Sequence, residues 1–385
     1  MYMQTNTDKD LPVTPAQDAA FTRFITRYDQ ILDCIEAVDP AAYARTRNFV
    51  DGAVTRLSPY ISRGLISTRM VMRSVLARDP GRHASEKLLQ ELAWRDYWQQ
   101  VWIAKGDAID SDLRQPQQDV CNQQMPRAVH SATTGIEAVD AAIVELYRGG
   151  YMHNHMRMYT AALACNIGKS HWRVPAQWMY YHLLDGDWAS NALSWQWVAG
   201  ANANKKYIAN QENINKYFHS RQRGTFLDVS YEELAELAVP EVMRDTDVPA
   251  LTVDLPVNDT LDIDPQLPTL VYNYYNLEPA WREHQQANRV LLLEPSVFRR
   301  YPVAARNIEF VRALADNIAG VQVMTAEFDE LERLAGQGGI FYKEHPLNSH
   351  YRGSEDARDW MFKVQGYYPS FFAFWKRCKK EMALW

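Results

Sequence analysis

The sequence predicts a mainly α protein: a helical domain followed by a smaller C-terminal α/β unit built on a parallel sheet. Three observations predict it. Between Ala16 and Arg244 apolar residues recur at helical spacing, as in Phe21, Phe24, Ile25, Tyr28, Ile31, Leu32 and Ile35. Between Arg244 and Arg282 there is no Lys or Arg, but six Asp and the prolines Pro249, Pro256, Pro265 and Pro268, which reads as a connecting stretch. Beyond it, short apolar runs alternate with amphipathic segments, the pattern of strands and crossover helices. The expected division is a disordered tail 1–15, a helical domain 16–244, an acidic and proline-rich linker 245–268, and an α/β domain 269–385 that ends in an aromatic helix.

Composition sets outer limits. A chain of 385 residues can build two sizeable cores, and 47% hydrophobic with 23% charged residues is ordinary for a soluble protein. The net charge of −6 argues against a surface coated for non-specific nucleic-acid binding, while leaving room for a local basic patch. Cys34, Cys121, Cys165 and Cys378 are scattered, without metal-ligand spacing, so reduced thiols, a cytoplasmic setting and no iron–sulfur cluster are expected. Met1 to Pro15 is polar, unlike a signal peptide, and no apolar run has membrane-spanning length. The unusual feature is 12 Trp and 21 Tyr, residues that fill cores and also stack planar ligands and bases.

In chain order, Ser58-Pro59 reads as a helix start, with the serine hydroxyl as cap and a helix N-terminus suited to phosphate. Ser85 to Trp102 is an amphipathic helix in which Glu91 and Arg95, four apart, are placed for an intrahelical salt bridge. Gly106 to Arg127 has no period and reads as a surface connection. Gly135 to Leu146 resumes the helical pattern. Gly150 to Trp197 then sets ionisable residues into apolar helices. Asn154 and Arg157 share a face, Asp185 and Asp187 bracket Gly186 in one turn, and Asn191 and Trp195 share the next face. Burying Arg157, Asp185 and Asp187 together is costly unless they pair or meet a ligand, and a structural Arg–Asp pair satisfies the spacing equally well. Lys205 and Lys206 follow in a loop of small residues and amides; with Lys169, Arg173, Arg221 and Arg223 they form a candidate basic rim. In the last third, Val290–Glu294, Val321–Thr325 and Gly339–Lys343 read as strands, and Asn307–Ile318 and Glu327–Leu334 as helices.

Tyr43, Thr55–Ser58, the Glu91–Arg95 segment and Gly150–Trp197 together resemble the FAD-binding core of the DNA photolyase and cryptochrome family. The order, spacing and chemistry agree from about Tyr43 to Phe218. The resemblance implies FAD held by Tyr43, Thr55, Arg56, Leu57, Ser58, Gln90, Arg95, Tyr151, Asn154, Arg157, Asp185, Gly186, Asp187 and Asn191, the last facing the flavin. It places Arg47, Glu91, Trp94, Met158, Trp197, Lys205 and Lys206 toward DNA, and Trp195 and Trp172 in an electron relay to the flavin. The third tryptophan of the usual relay has no counterpart in Gly106–Arg127; Trp98, Trp102 or a tyrosine is the alternative. The α/β segment here follows the flavin segment, whereas the family places its antenna domain before it, and the stretch from Glu294 to Arg300 resembles that domain loosely. A circular permutation accounts for this order; an antenna chromophore is left open.

The implied function is light-driven splitting of cyclobutane pyrimidine dimers in UV-damaged DNA by electron transfer from reduced FAD, with Glu91, Asn191, Trp195 and Trp172 as the catalytic set. The protein is expected to be a monomer, a carbon–carbon lyase of the deoxyribodipyrimidine photolyase type. Met158 favours the cyclobutane class, since enzymes for the (6-4) photoproduct carry histidine there. The alternative is a cryptochrome-like photosensor without repair. It shares the flavin residues; Glu91, Trp94, Met158 and Trp197 favour repair, whereas His155, where photolyases usually carry arginine, weakens it.

Overall fold

A computed structural model describes residues 24–79, 83–257 and 261–383. The expected tail 1–15, and residues 16–23 at the start of the first expected helix, lie outside the described residues. That helix is α1 (Tyr28–Glu36), preceded by extended chain. The helical domain continues with α2 (Pro40–Thr46), α3 (Ser58–Ser62), α4 (Thr68–Arg78), α5 (Glu86–Lys105), α6 (Arg127–His130), α7 (Glu137–Gly149), α8 (Asn154–Ala162), α9 (Arg173–His182), α10 (Trp188–Ala199), α11 (Gln211–Phe218) and α12 (Tyr231–Ala235). Side-chain caps set several of its helix starts: Asp39, Ser67, Asp187 and Asn210 each accept a first-turn N–H, and Ser230 and Glu233 form a reciprocal capping box. Helix α8 runs into a π turn at Leu163–Ile167.

Ser58 departs from expectation. Helix α3 is preceded by Leu57 without a side-chain cap, and the Ser58 hydroxyl lies toward the Asp185 carboxylate instead, where it favours the ionised form. The carboxylate is the stronger partner because it is buried and charged.

The α/β unit contains five parallel strands, two more than the periodicity revealed. They are β3 (Thr269–Tyr272), β4 (Asn288–Leu293), β5 (Val321–Thr325), β6 (Ile340–Lys343) and β7 (Ser354–Asp356), in spatial order β5-β4-β3-β6-β7. Strand β3 is a buried apolar run hidden behind the proline-rich stretch, and β7 is a short polar edge without an apolar signature. The connecting helices are α13 (Pro295–Arg300), α14 (Ala305–Ala315) and α15 (Phe328–Ala335), and α16 (Phe371–Met382) closes the described chain. Alternation along the strands divides their side chains. Val271, Val290 and Leu292 join Met324, Phe328 and Leu331 on one face, while Leu270, Tyr272, Leu291 and Leu293 belong to the same apolar core as the helical domain.

The two parts are therefore fused by packing. Phe310 of α14 lies against Phe24 and Tyr60, and α16 packs along α5. The stretch 245–268, expected as a linker, begins with β2 (Thr246–Asp247), which pairs antiparallel with β1 (Met125–Pro126). Gly106–Arg127, expected at the surface, carries a buried junction: Asp110 accepts from Trp188 Nε1 at 2.7 Å, Arg300 at 2.8 Å and the Tyr301 hydroxyl at 3.2 Å. Composition shows the aspartate but not the three distant donors that make its burial tolerable.

Gly64, just after α3, marks a close backbone approach of the two parts. Its φ is +60°, and a Cβ there would stand 2.4 Å from the Tyr275 carbonyl oxygen. Gly135 has φ +78°, and a Cβ there would meet nothing within 4 Å, so it isolates the conformational cost alone. Gly64→Ala is expected to destabilise the chain by about 2–4 kcal/mol, and Gly135→Ala by about 1 kcal/mol. Urea denaturation checks this; equal losses would show that the interdomain contact carries no weight.

Candidate functional site

Several of the expected site residues collect around the turn Asp185–Gly186–Asp187, between α9 and α10. The apolar run of α9 buries the chain up to Leu184, so the turn enters the interior, and both carboxylates are at most 6% exposed. A Cβ on Gly186 would lie 3.0 Å from the carbonyl oxygens of both Leu183 and Tyr180. Backbone crowding within the turn thus favours glycine here.

Each charge has a defined setting. Arg157 Nη2 donates to Asp185 Oδ2 at 2.9 Å, and its Nε donates to the Met152 carbonyl at 2.8 Å. Burial pulls the Asp185 carboxyl upward, but Arg157, Ser58 and Arg95 outweigh it and hold the group below its ordinary value. Asp187 caps α10 through Oδ1 to the Ser190 N–H at 2.7 Å, and its Oδ2 accepts from the Gln99 amide. Arg358 of the α/β unit donates to Gln99 Oε1 at 2.8 Å, completing a relay from that unit to Asp187. Arg95 donates to the Ser62 hydroxyl, and Ser62 donates to the Asp185 carbonyl at 2.8 Å. The salt bridge expected between Arg95 and Glu91 does not form, because Arg95 points inward to this cluster while Glu91 takes Lys87 at 2.7 Å and Arg47 at 3.6 Å.

Sequence reasoning missed Arg63, the most buried cation of the cluster at 0% exposure. It donates to the Gly186 carbonyl, and its guanidinium lies 3.6 Å over the Tyr274 ring. Only its place inside the matched Thr55–Arg69 stretch hinted at a role. Gln99 was legible in principle, since it continues the Glu91–Arg95 row by four residues. Arg358 was not, being 259 positions from Gln99.

Other expected residues are distributed as follows. Tyr151 lies 5.6 Å below both Arg56 and Arg157, and Arg56 adopts φ +53° before the buried Leu57. Thr55 Oγ1 accepts the Leu57 N–H at 3.3 Å. Tyr43 neighbours Glu91, and burial followed by that charge raises its phenol. Gln90 accepts from Lys87, and Asn154 is exposed at the start of α8. The Asn191 amide donates to the Ala176 carbonyl at 2.8 Å. Trp195 and Trp172 are buried, but their rings do not contact one another among the described ring pairs; Trp172 Nε1 donates to Asp112 at 2.7 Å. Trp98 and Trp102 are also buried. Toward the outside, Met158 is half-buried against the core, Trp197 is 39% exposed, and Lys205 is exposed. Lys206 is already paired with Asp119 at 2.6 Å. Trp94 is not an open platform on both sides: Phe371 of α16 stacks on it at 3.7 Å with planes 10° apart.

The polar groups of the buried set are of the kinds that a flavin dinucleotide takes. Among the described residues, Asp185 Oδ1 and the Ser190 hydroxyl have no partner, and neither do Nε and Nη1 of Arg63. A free carboxylate oxygen suits an imide N–H or a ribose hydroxyl. Three guanidiniums (Arg63, Arg95, Arg157) facing two carboxylates leave an excess of positive charge, which suits a pyrophosphate.

Comparisons with known proteins agree. Residues 88–253 match the family model described as the FAD binding domain of DNA photolyase. A deoxyribodipyrimidine photo-lyase of Streptomyces griseus is 35% identical over 189 residues, covering 48% of this chain and 40% of the relative. A cryptochrome DASH of Xenopus laevis is 29% identical over 212 residues, covering 53% and 39%. A Synechocystis sp. cryptochrome crystal structure aligns at 24% identity over 50% of this chain and 44% of that chain, with a TM-score of 0.44. Through residues 88–253 the chain is similar to the FAD-binding domain of the photolyase and cryptochrome family. It spans about two-fifths of the length of the curated relatives it matches. Among the described residues, no helix is long and apolar enough to cross a membrane.

Histidines beside the site give it a pH dependence. His153 caps α8, its Nδ1 accepting the His155 N–H at 3.2 Å. Burial, then the charges of His155 and Arg157, lowers its pKa from 6.5 to about 4. Because the folded value lies below the unfolded one, the unfolded chain takes up the proton first as pH falls. The stability is complete above about pH 6.5 and is lost progressively down to about pH 4, with His153 contributing about 3 kcal/mol. Urea midpoints at pH 7.5 and pH 4.5 should differ accordingly, and His153→Gln should reduce the difference. An unchanged difference in the variant would show that His153 is not the group responsible.

Proposed function

We propose that this chain is a light-driven DNA repair enzyme that binds FAD in the helical domain and splits cyclobutane pyrimidine dimers. The observation that carries the reading is the buried Arg157–Asp185 pair with its surplus guanidinium charge. Reduced FAD, when bound, supplies the photoexcitable electron donor, so the protein is left with placement, electrostatics and exclusion of water. Asp185 and Asp187 accept from the cofactor, and Arg95 and Arg63 balance its phosphates. Burial keeps these contacts strong by excluding water.

Toward the DNA, Glu91 presents a carboxylate held by Lys87 and Arg47, suited to accept from the ring nitrogens of an extruded pyrimidine pair. Trp197 offers a stacking face, and Met158 an apolar contact. A dimer leaves the duplex stack at lower cost than intact bases because its own stacking is already impaired. These assignments rest on the matched positions.

A sensor without repair is the second reading. It is favoured by Phe371, which covers one face of Trp94, and by the resemblance to a cryptochrome DASH. Dimer loss from irradiated oligothymidine under blue light separates the two: repair predicts loss only in the light, and a flavin-loaded protein that leaves dimers intact is a sensor.

Asp187→Ala is expected to lower bound FAD at least tenfold and to cost about 1–2 kcal/mol of stability, because the carboxylate also caps α10. Asp187→Asn should keep most of the stability and still lose flavin. Flavin absorbance after incubation with FAD, read beside a urea curve, checks both. Full flavin content in either variant would remove Asp187 from the cofactor site.

A further inference from the structure

The basic aromatic helix at the end of the chain is used by none of the roles above. We propose that α16 is a second DNA-contacting element, gripping the strand that flanks the lesion, an inference that rests on the repair reading.

Helix α16 is amphipathic. Phe371, Phe374, Trp375, Cys378 and Met382 are buried, fixing the helix on the body of the protein. The opposite face exposes Lys376, Arg377, Lys379 and Lys380, and with them Phe372, 68% exposed. Phe372, Lys376, Lys379 and Lys380 stand at i, i+4, i+7 and i+8, so they lie along one side. Among the described residues, only Lys379 of this row has a carboxylate partner, Glu86, at a loose 3.4 Å.

Two contacts locate this face. Phe371 stacks on Trp94 at the start of α16, and Lys379 meets Glu86 near its end, so α16 runs antiparallel to the first half of α5. That half of α5 also carries Glu91. The basic face therefore begins beside the residues assigned to the extruded bases and extends away from them. An exposed ring followed by a row of cations complements a strand that offers bases and phosphates in alternation. A bilayer fits less well, because the apolar face is already buried and a single phenylalanine is left for insertion.

The test uses the full-length, flavin-loaded protein and fluorescence anisotropy with a dimer-containing and an undamaged oligonucleotide over a salt series. Combined Lys376→Gln, Arg377→Gln and Lys380→Gln should weaken both complexes and flatten the salt dependence by about two to three counterions. Phe372→Ala should weaken both roughly tenfold with an unchanged salt slope. Flavin content and the urea midpoint should match wild type, since these side chains are exposed. Unchanged affinities and slopes, with wild type binding dimer DNA, would overturn the inference and leave the repair reading standing. Wild type that binds neither DNA would remove both. Anionic vesicles of phosphatidylserine and phosphatidylcholine form the last arm: if the variants lose vesicle binding but keep DNA binding, the face belongs to a membrane surface and the inference fails.

Discussion

The turn Asp185–Gly186–Asp187 takes two carboxylates out of water, and much of the architecture around it compensates that cost. A carboxylate removed from water is tolerated only when charges and hydrogen bonds replace the lost hydration. Here the replacements come from several sides: Ser58 at α3, Arg95 and Gln99 on α5, Arg157 on α8, and the first-turn N–H of α10, while Ser62 and Arg63 take the backbone carbonyls of Asp185 and Gly186. Removing one partner leaves the others with a buried charge to carry. That interdependence fixes the relative positions of four helices, and a cofactor would inherit the resulting precision.

The α/β unit takes part in this arrangement. In a parallel sheet ordered β5-β4-β3-β6-β7, the strand order reverses between β3 and β6, and the loops leaving the carboxyl ends of those strands diverge to form a crevice. In this protein the crevice faces the helical domain. Tyr274 and Tyr275 after β3 cover Arg63, His345 after β6 stacks on Tyr275 at 4.3 Å, and Arg358 reaches Gln99. Between them remains a polar cavity of about 70 Å³, lined in part by Arg95, Asp187 and His345, with room for several waters. The sheet loops and Asp187 thus share one glutamine as a hydrogen-bond partner.

The aromatic residues divide by depth. Trp102, Trp172, Trp178 and Trp188 are fully buried, and two of them satisfy their indole N–H on aspartates, Trp188 on Asp110 and Trp172 on Asp112. These are structural anchors whose polar tips need buried acceptors. Trp94, Trp197 and Phe372 lie at the boundary, where a ring can meet something outside the chain. The composition alone could not separate the two groups.

The sequence by itself determined the elements and the chemistry of the site. Period 3.6 marked the helices, short apolar runs marked β4, β5 and β6, and Arg157, Asp185 and Asp187 were legible because ionisable groups are rare in apolar helices. These signals are local, and local spacing controls helix faces and strand alternation. The tertiary structure decided which groups are partners: that Arg95 turns to Ser62 and not Glu91, that Arg63 and Arg358 stabilise a turn more than a hundred residues distant, and that Phe371 lies on Trp94. It also decided that the two parts share one core, which no composition shift at residues 245–268 could reveal. The physical reason is that an ion pair or a ring stack depends on distance in space. A buried charge takes whichever partner the packed backbones bring within about 3 Å, and sequence separation does not enter that energy.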